Sequence, residues 1–105
     1  MIAPTTSIQL ALDEQLASRT AELFRALGDT SRVRIISVLA ESEMNVSALA
    51  AAVGISESAI SHHMRGLRQM RLVRARKAGR QVFYRLDDDH ILDLFERGLD
   101  HVLHG

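Results

Sequence analysis

Apolar residues recur along most of this chain at helical spacing, and in one stretch the pattern changes to alternation. Leu12, Leu16, Leu23, Phe24 and Leu27 keep near-helical spacing and stop at Gly28, which predicts a helix over about 10–27. Asp29, Thr30 or Ser31 can cap a second helix carrying Val33, Ile36, Val38 and Leu39 and ending near Glu41. A short apolar segment over 46–53 ends at Gly54, the residue a left-handed helix terminus prefers. Ser56 then caps a helix over about 57–70 with Ala59, Ile60, Met64 and Leu67 on its inner side. Two runs follow, 72–77 and 82–86, in which apolar and basic residues alternate around Gly79. That is the pattern of a β-hairpin with one wet, cationic face. A last helix is expected from about Asp88 to His104. Its apolar residues Ile91, Leu92, Leu94, Phe95, Leu99, Val102 and Leu103 exceed one stripe, which predicts burial against both its own domain and a partner chain.

The expected architecture is mainly α with a β-hairpin, in the order ααααββα. A helix, a tight glycine turn and a second helix followed directly by a hairpin make a winged helix-turn-helix, whose second helix enters a DNA groove. Residues 1–9, with the only proline at Pro4, are expected to form a flexible N-terminal arm, and residues 10–105 one domain. A chain of 105 residues buries a modest core, so a homodimer interface through the N- and C-terminal helices would add stability.

Composition narrows the chemistry. With no cysteine, disulfides and thiolate ligands are excluded, which fits a cytoplasmic protein and leaves imidazole and carboxylate for any metal. No apolar run is long enough to span a bilayer, and the first residues lack the basic and apolar regions of a signal peptide. The net charge of zero conceals a segregation. Arg65, Arg68, Arg71, Arg74, Arg76, Lys77, Arg80 and Arg85 fall in a stretch without an acidic residue; Asp87, Asp88, Asp89, Asp93, Glu96 and Asp100 follow, against Arg97 alone. A polyanion-binding surface beside a cation-attracting one is the reading this supports.

The histidines are the sharpest signal. His62 and His63 lie together, and His90, His101 and His104 lie on the last helix behind Asp88. Eleven residues at about 100° each bring His101 to within roughly 20° of His90, yet about 16 Å further along the axis. One ion cannot bridge that distance. An antiparallel copy of the helix resolves the problem: Asp88 and His90 of one chain meet His101 and His104 of the other, giving two four-ligand N/O sites per dimer. Such donors suit Zn(II) or Co(II). Four protein ligands leave no open position for substrate, and no nucleophile motif or phosphate loop accompanies them, so no enzymatic activity and no small-molecule substrate are expected.

The segments Leu27-Gly-Asp-Thr-Ser-Arg-Val-Arg-Ile-Ile36, Ser58-Ala-Ile-Ser-His-His-Met-Arg-Gly-Leu67 and Ala78-Gly-Arg-Gln-Val-Phe-Tyr84 resemble the ArsR/SmtB metal-sensing repressors, over roughly residues 20–104. The set Asp88, His90, His101 and His104 is similar to the C-terminal-helix site of that family's zinc and cobalt sensors. The resemblance implies an apo homodimer bound to a palindromic operator and released by metal, with derepression of efflux or homeostasis genes. It also implies coupling from metal-bound His101 to a main-chain carbonyl around Arg71. Members that sense arsenic, cadmium or lead use cysteines in a Glu-Leu-Cys-Val type segment. Here Glu43-Met-Asn-Val46 offers Asn45 instead, so that second site is absent. A nickel-responsive regulator, or a DNA-binding protein with a purely structural metal, are the alternatives.

On the recognition helix Ser58, Ser61 and His62, with Glu57 beside them, are the candidate base-edge readers. Ser56 is expected to cap the helix, and His63 to point either sideways or toward DNA. Arg65 and Arg68, with Lys77 and Arg80 on the wing, are the candidate phosphate contacts.

Overall fold

The computed structural model describes residues 13–105. The expected arm over 1–9, and residues 10–12 of the expected first helix, lie outside the described residues. The helices are α1 (Glu14–Leu27), α2 (Thr30–Leu39), α3 (Val46–Val53), α4 (Glu57–Gln69) and α5 (Asp89–His104). The strands are β1 (Met44–Asn45), β2 (Val73–Ala78) and β3 (Gln81–Leu86), so the order is ααβααββα. This is a winged helix-turn-helix, mainly α with an antiparallel sheet in the order β1-β3-β2.

The caps explain where the helices begin. Asp13, Asp29, Asn45, Ser56 and Asp88 stand at the five N-caps, each accepting a hydrogen bond from a main-chain N–H of the first turn. Each such bond satisfies a donor the helix leaves orphaned, and its loss costs about 1 kcal/mol. Asp29 is therefore the residue, among the three candidates, that starts α2. The second helix stops two residues before the expected Glu41, at Leu39.

The core gathers Ile35, Ile36 and Leu39 of α2, Leu49 and Val53 of α3, Ile60, Met64 and Leu67 of α4, then Leu72 and Val73. Ile35 is fully buried, whereas Val33, expected on the apolar side of α2, stands 42% exposed. The buried pair Ile35–Ile36 turns the α2 stripe and leaves Val33 on its edge.

Strand β1 was not expected. Two residues of mixed character carry no alternation to read, but Met44 and Asn45 pair with Tyr84 and Phe83 and so tie the wing to the entrance of α3. The hairpin turns at Gly79-Arg80, with Ala78 opposite Gln81. Gly79 has φ +63° and Arg80 is not among the positive-φ residues, the pattern of a type II′ turn.

At the end of α4 the chain makes a Schellman turn. The Arg71 N–H donates to the Arg68 carbonyl at 2.9 Å and the Leu72 N–H to the Leu67 carbonyl at 2.9 Å. Arg71 occupies the left-handed position at φ 58°, the single described non-glycine with positive φ. Any Cβ is disfavoured there. Arg71→Gly is expected to raise the unfolding free energy by roughly 1 kcal/mol, measured by urea denaturation at fixed protein concentration.

Candidate nucleic-acid interface and metal-ligand stripe

Helix α4 has two incompatible faces, and packing decides which one is seen. Ile60, Met64 and Leu67 are fully buried. At about 100° per residue, Ser58, Ser61, His62, Arg65 and Arg68 then fall within one arc roughly 120° wide on the opposite side, and all five are exposed. Glu57 lies just beyond this arc, in the first turn of the helix. The Ser56 hydroxyl is occupied as the cap, accepting from the Ala59 N–H at 3.0 Å.

His63 lies to the side of that arc. It is half-buried, and its Nδ1 accepts from Nε of Arg32 on α2 at 3.2 Å. Burial holds its pKa below the ordinary imidazole value; Asp29 opposes this, while Arg32 and His62 add to it.

The basic block divides in two. Arg74 pairs with Asp87 at 2.8 Å, and Arg76 grips Glu43 through Nε at 3.1 Å and Nη2 at 2.6 Å while lying over the Phe83 ring. The hydrogen bond from Arg76 is the main reason the Glu43 carboxyl sits below its usual pKa. Among the described residues no acidic side chain is in ion-pair contact with Arg65, Arg68, Lys77 or Arg80. The cations expected to meet phosphate are thus among those left uncommitted, together with Arg71 and Arg85. Arg65, Arg68 and Ser61 also line a cleft of about 430 Å³ together with Gln69 and Tyr84. Sequence reasoning passed over Gln69 and Tyr84; the tyrosine sits in a run that reads simply as strand, and only the docking of β3 against α2 and α3 brings it to this cleft.

On α5 the metal-ligand candidates form two pairs. Asp88 Oδ1 accepts from the Ile91 N–H at 3.1 Å, and Oδ2 stands 3.5 Å from Nδ1 of His90. Its carboxyl is held below the usual range, chiefly by the Ile91 N–H and further by His90. The neighbouring Asp87 is engaged by Arg74, and Asp89 is already inside the helix. His101 is exposed, and His104 Nδ1 lies 2.9 Å from Asp100 Oδ1 and 3.0 Å from the Asp100 carbonyl. Among the described residues, no three histidine or carboxylate side chains of the single chain come together. The donor chemistry fits a divalent borderline ion nonetheless: exposed imidazoles and one carboxylate oxygen not held by the cap, with two donors at each end of the helix.

Residues 29–75 match the model of the bacterial regulatory protein arsR family. The transcriptional repressor SmtB homolog of Synechocystis sp. is 47% identical over 93 residues, covering 89% of this chain and 69% of the relative. The chain belongs to the ArsR/SmtB family. The HTH-type transcriptional regulator NmtR of Mycobacterium tuberculosis is 38% identical, over 89% of this chain and 78% of NmtR. Among solved structures, the homodimeric winged helix-turn-helix DNA-binding domain Mb0332 of Mycobacterium bovis superposes with a TM-score of 0.75 at 30% identity, covering 85% of this chain and 81% of that one. ArsR/SmtB relatives are transcriptional regulators and not enzymes, the class the absence of a catalytic motif suggested. Among the described residues no helix is long and apolar enough to cross a membrane.

The lowered pKa of His63 has a defined consequence for stability. The folded state favours the neutral ring, so the stability it contributes is complete above about pH 6.5, the unfolded value, and is lost as pH falls through the lower folded value. Urea midpoints of the wild type are expected to drop between pH 7.5 and pH 5 more steeply than those of His63→Asn, whose amide accepts from Arg32 without titrating. Equal slopes would exclude this account.

Proposed function

We propose that this protein is a metal-responsive transcriptional repressor of the cytoplasm. It acts as a homodimer through α1 and α5, and without metal it holds a palindromic operator through α4 and the wing. The observation that carries the metal half of this reading is the α5 stripe: His90, His101 and His104 fall within an arc of roughly 60°, exposed and, among the described residues, in no group of three ligand side chains within one chain. Asp88 and His90 of one protomer, with His101 and His104 of its partner, would hold Zn(II) or Co(II). Bound there, the ion would supply a cross-link between the two C-terminal helices.

The dimer half rests on α5 as well. None of its residues is buried; Ile91 and Phe95 pack on the domain, while Leu99, Val102 and Leu103 stand 46%, 77% and 68% exposed, with Phe24 of α1 at 55%. Apolar surface on two terminal helices suits a second copy. Ser58, Ser61 and His62 read base edges, and Arg65, Arg68, Lys77 and Arg80 neutralise phosphates. His101 holds the coupling role: its ring N–H not facing the ion donates to a main-chain carbonyl at the end of α4, around Arg71, favouring a dimer whose recognition helices no longer match successive major grooves. Release then derepresses metal efflux or homeostasis genes.

Fluorescence anisotropy on the chain's own promoter region, titrated with Zn²⁺, Co²⁺ and Ni²⁺, tests the reading. Zinc or cobalt is expected to lower operator affinity about fivefold or more, the lower edge of ordinary allosteric coupling. Release by nickel alone reassigns the effector, and no change with any metal makes the ion structural. His101→Asn is expected to keep measurable metal binding and lose metal-driven release; unchanged release sinks the coupling. Separately, Arg65→Ala or Arg68→Ala is expected to reduce the slope of log affinity against log salt by about 0.9 each. An unchanged slope removes that residue from the phosphate contacts.

A further inference from the structure

The interior of α4 holds a glycine its backbone does not require. Gly66 is not among the residues with positive φ, and glycine disfavours a helix interior relative to alanine. What the missing Cβ provides is room. A Cβ at Gly66 would stand 2.6 Å from Nη2 of Arg32 and 3.3 Å from its Cζ, so the guanidinium lies directly on the α4 backbone. From that position Arg32 Nε donates to Nδ1 of His63 on α4 at 3.2 Å. Its Nη1 makes a longer, 3.4 Å contact with the carbonyl oxygen of Ala26, near the end of α1. The root of the side chain is fixed too, because the Asp29 carboxylate accepts from the Arg32 N–H at 3.0 Å.

One side chain of α2 thus touches both the helix that carries the base readers and the helix that carries Phe24. Both contacts are part-buried, where water competes less for the bonds. Toward the far end of α4 the two helices border an open cleft lined by Leu16, Arg19, Leu23, Gln69 and Met70. The polar tie between them is therefore at the Arg32 end.

We propose that Arg32, seated on Gly66, is a positioning residue for DNA recognition: it joins α4 to the end of α1 and so sets the half-site spacing the dimer accepts. This rests on the reading of α1 as a dimerisation helix and α4 as the recognition helix. In a two-fold dimer, a change in the angle between those helices moves the two recognition helices apart or together. Contacts within each half-site stay as they were.

The test uses a labelled duplex enriched by the wild-type protein from a random pool of about 40 base pairs, and the same duplex with one base pair inserted at its centre. An insertion of one pair shifts one half-site by about a tenth of a helical turn. The readout is the ratio of the two affinities. Gly66→Ala, which displaces the guanidinium, and Arg32→Lys, which keeps the charge without the fork, are expected to lower that ratio about fivefold or more. Ile36→Val, a core change at a residue 1% exposed, serves as the control for general loosening and is expected to leave the ratio unchanged. Gly66→Ala is also expected to keep or raise the unfolding midpoint, because alanine favours the helix. Ratios for Gly66→Ala and Arg32→Lys that match Ile36→Val overturn the proposal. Wild-type binding without spacing preference overturns it while DNA recognition stands, and enrichment of no duplex overturns both.

Discussion

Burial of Ile60, Met64 and Leu67 is the constraint on which the rest of the molecule depends. A helix has one way to face a core, and with these three residues fully buried α4 can present only the opposite arc to solvent. Each of them contributes about 2–3 kcal/mol of apolar burial. No single polar contact on the outer arc is large enough to rotate the helix against that. The serines, His62 and the two arginines are therefore displayed because of what lies behind them. The same core seats β3 against α2 and α3, and Tyr84 then shares a cleft with the outer arc of α4.

Charge is arranged by the same logic of commitment. Directly opposed on the hairpin, Arg74 and Arg85 would repel, and Arg76 lies two pairs further along. Asp87 and Glu43 answer Arg74 and Arg76 and fix the base of the wing. The Asn45 amide, which donates to Gln81 at 2.8 Å, fixes the beginning of β3. Lys77 and Arg80, nearer the turn, have no such partner among the described residues. A wing anchored by ion pairs at its base and uncommitted at its tip can meet a polyanion without first breaking its own contacts. That lowers the ordering cost of association.

Most of this was legible from periodicity and caps. The segment 46–53 came out with its bounds intact because the apolar run marks its start and Gly54 its end, and α4 missed by a single residue. The failures share a cause. Strand β1 is two residues long and exists only because β3 passes beside it, which no local pattern encodes. Val33 and Ile35 are equally apolar, so choosing between them required knowing where α3 packs. Tyr84 and Gln69 enter the cleft through tertiary docking. Arg32 was hidden for a different reason: in sequence it is one basic residue near a cap, and its partners His63 and Gly66 lie more than thirty positions away. The α5 histidines were readable because a helix converts spacing into geometry without help from the rest of the fold.

That geometry carries a thermodynamic requirement on the proposed reading. An ion shifts an equilibrium between two dimer shapes only if it binds them unequally. A rigid, preassembled site would bind both alike. Here the donors are exposed, and they sit at the two ends of a helix about 24 Å long. His104 is engaged with Asp100, and Asp88 shares its carboxylate between the Ile91 N–H and His90. Completing a site means drawing His104 away from Asp100 and bringing two chains into one register. The ion then favours whichever dimer shape supplies that register. On the proposed reading each site would take two residues from each protomer, so the shape favoured would be a property of the dimer, and both recognition helices would respond together.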